Sequence, residues 1–319
     1  MKSNTVLICG AGQLGSRYLQ GLVQCSSLLS IWVSDPSDTS LIRAGERWKE
    51  AGGRESKHSL KLVNSIAILP KKMDLVIVAT SADVRADVVE TLASSIKIRC
   101  WVLEKVLAQS KKDLDRLIQA TAASEAVWVN MVRRMLPWYQ KLAVMISQQN
   151  PTDIRIYGGN WGLACNSVHF LDLGAYFLNE TLISIDAKWL KCNWHSSKRA
   201  GFFEVNGVLR AKYTENKWAT LECIESQEIM MIEVKTSEGI WQINESNGEA
   251  IAPDGQSVSG RLENQSEITA RLVESILNTG NCELPGLDHA IALHKPFLNA
   301  LIEHWNKSQN RVDTILPIT

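Results

Sequence analysis

Three groups of residues have types and spacings that can do chemistry. The first is Gly10-Ala11-Gly12-Gln13-Leu14-Gly15, which follows the apolar run 6–9 and precedes a stretch of helical spacing at 16–23. In a strand–turn–helix setting, G-x-G-x-x-G is suited to holding a pyrophosphate. Gly10 makes the tight turn, Gly12 lets the backbone approach the diphosphate, and Gly15 lets the helix pack closely on the strand. The free N–H groups at the helix start carry a partial positive charge toward the phosphates, and Gln13 and Leu14 are expected, with the glycines, to contact the coenzyme. A second apolar run, 31–34, ends at Asp35, twenty residues after Gly15. An acid there accepts hydrogen bonds from both hydroxyls of an adenine ribose and repels a 2′-phosphate, so NAD is expected rather than NADP. No Arg or Lys in 36–40 reverses this. The competing reading is an ordinary glycine turn with a solvated aspartate. It does not explain why strand, glycines, helix and acid stand in register.

The second group is Glu104-Lys105, at the end of the apolar run 100–103. A lysine at the carboxyl end of a strand, beside a coenzyme crevice, can take a proton from a substrate hydroxyl or return it. The residues alone leave a second reading open: a surface lysine paired with Glu104. Thr80 and Ser81 close the run 75–79 and are small polar residues suited to the nicotinamide end of the same crevice. The third group, Cys165, His169, Asp172 and Tyr176, is spaced 4, 3 and 4 apart and so shares one helix face. His169 can present its imidazole from that face as a proton relay, with Asp172 orienting it from one turn away. A partly buried histidine on a packing face is the plainer alternative. Zinc on Cys165 and His169 lacks an evident third ligand, and a Cys–His nucleophile is disfavoured by the apolar surroundings of Cys165. No metal is expected.

These groups need a scaffold, and the chain pattern supplies one. Over the first 130 residues, short Val/Ile-rich runs at 6–9, 31–34, 75–79, 100–103 and 127–129 alternate with helical stretches such as 84–92 and 112–122. Ser110 with Asp113 resembles a capping box. The alternation implies a Rossmann-type, doubly wound parallel sheet, placed at 1–130. Asn150-Pro151 marks a turn. Beyond it come a run at 154–157, a helix at 164–178, and strands at 202–213, 218–224, 229–235 and 240–244. They read as an antiparallel meander, followed by helices at 263–278 and 287–306. The expectation is an α+β second domain, 131–319, with a mostly antiparallel, open-faced sheet, its last helix free to pack back on the first domain.

The glycine fingerprint, the run Val76-Ile77-Val78-Ala79-Thr80 and Glu104-Lys105 together resemble the glucose-fructose oxidoreductase/inositol dehydrogenase (Gfo/Idh/MocA) family. The stretch Val129-Asn130-Met131-Val132-Arg133-Arg134-Met135-Leu136-Pro137 is similar to that family's last Rossmann strand and the Arg-Arg run after it. Members often read Glu-Lys-Pro where this chain has Val106. Many carry Asp-x-Gly-x-His-x-x-Asp where this chain has Cys165, Ser167, His169 and Asp172. The resemblance implies an NAD-dependent oxidoreductase with Lys105 as general acid/base assisted by His169. It also implies a sugar, nucleotide-sugar or cyclitol substrate and coenzyme contacts that include Glu104 and Lys105. Cys165 in place of the family's Asp keeps a rival open, a non-catalytic NAD-binding sensor or scaffold. A third reading is hydrolysis or elimination through transient oxidation by bound NAD.

Tryptophan numbers 11 against 5 Phe and 5 Tyr. Trp161 is a candidate sugar-stacking residue, with Trp138 and Trp194 as further possibilities. Arg134, beside Arg133, is a candidate grip for a substrate phosphate or carboxylate, the alternative being a solvated helix start. Asn166 is a polar candidate, and His195 a lower-ranked one. Apolar residues in 218–221 and 229–232 point to an open sheet face that pairs with a second subunit, hence a homodimer or tetramer.

Composition bounds the rest. The 319 residues carry 34 Lys+Arg and 34 Asp+Glu, a balance that speaks against nucleic acid or an anionic membrane as the main partner. No apolar run reaches bilayer length and no signal-peptide pattern opens the chain. The 7 cysteines are scattered and form no CxxC pair, which fits a reducing cytoplasm.

Overall fold

The computed structural model describes residues 3–319 and divides them into two compact units. The first comprises 3–107, 112–130 and 263–287; the second comprises 108–111, 131–262 and 288–319.

The first unit is built on β1 (Asn4–Cys9), β2 (Leu29–Ser34), β3 (Ser59–Val63), β4 (Lys72–Val78), β5 (Lys97–Leu103) and β6 (Ala126–Val129). All pairs are parallel, in the order β3-β2-β1-β4-β5-β6. The last four residues of β1, β2, β4 and β5 are buried. That is why these strands read as continuous apolar runs rather than alternating ones. The order reverses between β1 and β4, so a crevice opens at their carboxyl ends. The connecting helices are α1 (Gln13–Leu22), α2 (Asp38–Glu50), α3 (Ala82–Ser95) and α4 (Lys111–Thr121). Ser37 caps α2 by accepting from the Ser40 N–H at 3.2 Å.

The second unit holds an eight-stranded sheet: β7 (Asp153–Gly159), β8 (Leu182–Ser196), β9 (Phe203–Tyr213), β10 (Trp218–Ile224), β11 (Met231–Thr236), β12 (Gly239–Asn244), β13 (Glu249–Ile251) and β14 (Ser257–Ser259). Its order is β14-β13-β12-β11-β7-β10-β9-β8. The fold class expected from sequence is therefore present, but the strands do not form a simple meander. β7 inserts between β11 and β10 and pairs parallel with β10. The helices of this unit are α5 (Pro137–Ser147), α6 (Leu163–Leu178) and α8 (Leu287–Gln309), the last from Asp288 onward. α6 is buried along almost its whole length and packs against β7, β9 and β10.

Three differences from the sequence pattern have physical causes. β8 is a 15-residue edge strand, mostly exposed and broken by three register shifts, so no apolar alternation marks it. The strand expected from 229 starts at Met231, where its pairing with Tyr157 of β7 begins. The chain segment that returns to the first unit is α7 (Gln265–Thr279), whereas the last helix, α8, belongs to the second.

The outer residues of the second sheet are also less apolar than expected. Lys188 lies 4.1 Å from the Trp189 ring, and Arg210 lies 4.7 Å from Trp218 and 5.5 Å from Trp189. Arg155 covers Tyr157 at 4.5 Å and pairs with Glu222 at 2.8 Å. Cations thus cover much of the aromatic surface, an arrangement that keeps such a face compatible with water.

α7 is held by an Asn264/Glu267 capping box and lies against α1. A Cβ on Gly21 would come within 2.4 Å of the Ser266 carbonyl oxygen. Gly21→Ala is therefore expected to lower unfolding free energy by about 1–3 kcal/mol through overpacking, measured by urea unfolding. An unchanged midpoint would contradict this packing.

Candidate functional site

In the first unit the glycine turn has the shape its sequence implies. Gly10 adopts φ +94°, and a Cβ there would meet the Ala79 carbonyl at 3.0 Å. A Cβ on Gly15 would sit 1.7 Å from the Gly10 carbonyl oxygen, so only glycine lets α1 start this close to the turn. At Gly12 a Cβ would meet nothing within 4 Å. The backbone there faces open space, which leaves room for a ligand to approach. The Ser16 hydroxyl, which the motif does not include, donates to the Gly12 carbonyl at 2.8 Å and the Ala11 carbonyl at 3.1 Å. No side chain caps α1 at Gly12, so Gln13 and Leu14 open a helix N-terminus without a side-chain cap.

Asp35 follows β2 and braces this turn. One of its carboxylate oxygens accepts from the Ala11 N–H at 2.7 Å and the other from the Ser37 N–H at 2.8 Å. Each oxygen retains lone-pair capacity for a further donor. Burial, with a smaller push from Asp35, raises the Cys9 thiol to about 12, which keeps it inert. Beyond β4, the Thr80 hydroxyl oxygen is buried with no hydrogen-bond partner among the described residues. Ser81 is the N-cap of α3 and makes no side-chain cap bond.

Lys105 is half-buried just past β5, and its peptide bond to Val106 is cis. Glu104 points elsewhere. It is 3% exposed and accepts from the Tyr18 hydroxyl at 2.5 Å and the Asn130 side-chain amide at 2.8 Å. Burial raises its carboxyl above the usual range, against the opposing pull of Tyr18, Arg85, Asn130 and Lys105. A surface Glu104–Lys105 pair would need an exposed carboxylate, so that alternative fails. So does direct coenzyme contact through the Glu104 carboxylate, because its bonds run inward to Tyr18 and Asn130. Arg85 on α3 is buried too, and its guanidinium donates to the carbonyls of Thr80, Val106 and Leu107. Its helical position could have shown this: Ala82, Arg85, Ala86 and Val89 form one buried stripe.

In the second unit α6 carries His169 and Asp172. Gly162 enters the helix in the left-handed region, φ +78°, and makes no side-chain cap. Glu204 of β9 caps it instead, accepting from the Ala164 N–H at 2.7 Å and the Cys165 N–H at 3.2 Å. Burial raises the Glu204 carboxyl, partly offset by bonds from Cys165 and Ala164. Trp161 and Asn166 build the same entry turn. The Trp161 indole N–H donates to the Glu222 carbonyl at 2.8 Å, its ring meets Phe170 edge-on at 5.2 Å, and the Asn166 amide donates to the Trp161 carbonyl at 2.8 Å. His169 is half-buried further along α6.

Asp172 is 1% exposed, and its carboxylate holds Arg134 at 2.8 Å and the His289 imidazole at 2.9 Å. The Arg134 guanidinium also lies 4.9 Å from the Tyr176 ring. Asp172 thus anchors Arg134 and His289, a different task from orienting His169. Arg134 is correspondingly committed to an internal carboxylate and is not a free grip for a substrate anion. Arg133 is likewise paired, with Glu245 at 2.7 Å, and stacks 4.4 Å from Phe170. Neither arginine forms a solvated helix start. Trp138 donates to the Val258 carbonyl at 3.1 Å, and Trp194 donates to His304 at 3.2 Å. Both rings pack within the unit, while His195 is exposed on β8. Among the described residues no group of three or more His, Cys, Asp or Glu is arranged to hold a metal ion.

The Arg133–Glu245 pair sets a pH-dependent contribution to stability. Burial alone would raise the Glu245 carboxyl, but the Arg133 charge and the bonds from Arg133 and Tyr139 outweigh it and hold the carboxyl below its usual range. The stabilisation is therefore present above the unfolded carboxylate pKa and lost as pH falls through the folded value. Glu245→Gln is expected to cost about 3–5 kcal/mol at neutral pH, with the deficit shrinking in acid. Chemical denaturation across pH measures it, and a deficit that stays constant into acid would contradict the pairing.

No family model and no curated protein sequence matches this chain. Solved structures do match it. A myo-inositol 2-dehydrogenase from Lactobacillus plantarum shares 16% identity at a TM-score of 0.70, covering 98% of this chain and 100% of that one. A scyllo-inositol dehydrogenase from Lactobacillus casei, with bound NAD(H) and scyllo-inositol, shares 16% at 0.68, covering 97% and 98%. An oxidoreductase from Agrobacterium radiobacter, in complex with NAD+, L-tartaric acid and magnesium, shares 13% at 0.72, covering 98% and 99%. With its parallel six-stranded sheet and mostly antiparallel eight-stranded sheet, the chain has the fold of these dehydrogenases over nearly its whole length, the Gfo/Idh/MocA fold.

Proposed function

We propose that the chain is an NAD-dependent oxidoreductase acting on a CH–OH group of a sugar, nucleotide sugar or cyclitol, or on the corresponding carbonyl. The observation that carries this reading is the pattern at the glycine turn. Added Cβ atoms are excluded at Gly10 and Gly15 and unopposed at Gly12, where a diphosphate would lie. The donors and acceptors around it fit the same coenzyme. The N-terminus of α1 faces the diphosphate, Asp35 accepts from a ribose, and Thr80 and Ser81 stand at the nicotinamide end. The solved structures of this fold with bound NAD(H) and scyllo-inositol, or with NAD+ and L-tartaric acid, support coenzyme and substrate class alike.

When bound, NAD supplies the hydride acceptor. The chain supplies the proton transfer. Lys105, neutral when it acts as base, takes the proton from the substrate hydroxyl at its Nζ, and as an ammonium returns it in the reverse direction. His169 assists as a second proton carrier on a helix whose start is fixed by Glu204. A second subunit is proposed to cover the outer sheet face, including the Trp189, Arg210 and Trp218 ladder on β8, β9 and β10. A reducing cytoplasm suits the seven cysteines, none of which forms a disulfide among the described residues.

Incubation with NAD and a panel of cyclitols, sugars and nucleotide sugars, followed by NADH absorbance, tests the reading. Turnover is expected, and Lys105→Met should lower kcat by about 10²–10⁴-fold while NAD affinity holds. Gly12→Ala should weaken NAD about tenfold or more, a loss of about 1.4 kcal/mol, without unfolding the protein. Tight NAD binding with no turnover, and no effect of Lys105→Met, would replace the enzyme with a coenzyme-binding sensor.

A further inference from the structure

Arg85 is the residue of the first unit that packing alone explains least. It is 1% exposed, on the buried stripe of α3 beside Ala82, Ala86 and Val89. Removing a guanidinium from water is costly unless its donors are used fully. Here both terminal nitrogens donate to backbone oxygens. The carbonyls of Val106 and Leu107, the two residues after Lys105, accept from Arg85, and so does the carbonyl of Thr80 just past β4. One planar fork therefore fastens together the segments that leave two neighbouring strands at their carboxyl ends.

The other side of Lys105 is held as well. The Glu104 side chain runs inward to Tyr18 and Asn130, and the Glu104 N–H donates to the Val78 carbonyl at 3.2 Å. Asn130 in turn donates to Gln265 at 2.9 Å, which ties this network to α7. Lys105 is thus the half-buried residue between two buried anchors, one on each side in the chain. A lysine side chain is a long flexible stem, so a fixed backbone narrows the region that its ammonium can reach.

We propose that Arg85 is a positioning residue for Lys105, fixing the backbone of 105–107 against the Thr80 segment so that the lysine is presented in one orientation. The proposal rests on the reading of Lys105 as the proton carrier. Its test is chosen so that the two can fail separately.

The test compares wild type, Arg85→Met and Arg85→Lys as folded, full-length protein. The acylation rate of Lys105 by acetic anhydride is measured by mass spectrometry against Lys71 and Lys97 in the same molecule, with and without NAD. The kcat and KM are measured with any carbinol the panel identifies. In Arg85→Met, the Lys105 rate relative to the reference lysines is expected to change several-fold and its protection by NAD to fall. The kcat should drop by about 10²-fold, with KM and NAD affinity nearly unchanged. Arg85→Lys keeps the charge but not the fork, so it should recover thermal stability without recovering kcat or the wild-type labelling pattern. If Arg85→Met does not fold, Arg85→Lys decides the matter by the same measurements. A folded variant with wild-type Lys105 labelling and protection would overturn the positioning role. Absence of NAD protection in the wild type would instead overturn the coenzyme reading, while the labelling ratio without NAD would still judge Arg85.

Discussion

The first unit depends on one steric constraint, the approach of α1 to the turn that follows β1. The Gly15 Cα stands so close to the Gly10 carbonyl that no side chain fits between them. That contact aims the start of α1 at the space in front of Gly12. Ser16 and Asp35 then lock the turn from either side, through Ala11 and Gly12. That contact brings a helix N-terminus without a side-chain cap to the bare Gly12 backbone, and Asp35, at the end of the neighbouring strand, bonds to the same turn. A protein that needed the turn only for connection would have no reason to keep Gly12 bare.

The second unit uses buried charge differently. Glu204 caps α6 from a neighbouring strand, Asp172 holds Arg134 and His289, and Glu245 holds Arg133. Each pair joins elements far apart in the chain, and each leaves a large penalty if one partner is removed. The net gain in stability is modest. The consequence is a fixed α6, so a half-buried imidazole at His169 is carried on a rigid support. The Cys165 N–H lies on the Glu204 carboxylate, so an acid from β9 stands at the start of the same helix.

Legibility from sequence followed locality. β1, β2, β4 and β5 were visible because both faces are buried and the chain shows it as Val/Ile-rich runs. The glycine turn was visible because its constraints lie within six residues. β8 was not, because an exposed edge strand with bulges has no apolar period. The partners of Asp172 were not, because Arg134 lies 38 residues before it and His289 lies 117 after it. Spacing on one helix offered His169 in their place. Arg85 was hidden for another reason. A charge in a helical stretch reads as solvent-facing, and only its place on the stripe Ala82–Ala86–Val89 contradicts that. The return of α7 to the first unit follows from its packing against α1 at Gly21, which no local pattern announces.

Whether the first unit cradles a pyridine dinucleotide is decided by a crystal structure of the protein grown with NAD. Diphosphate density is expected against the Gly12 backbone and the start of α1, with a ribose diol on the Asp35 carboxylate and the nicotinamide near Thr80 and Lys105. A dinucleotide bound elsewhere, or an empty glycine turn at saturating NAD, would contradict it.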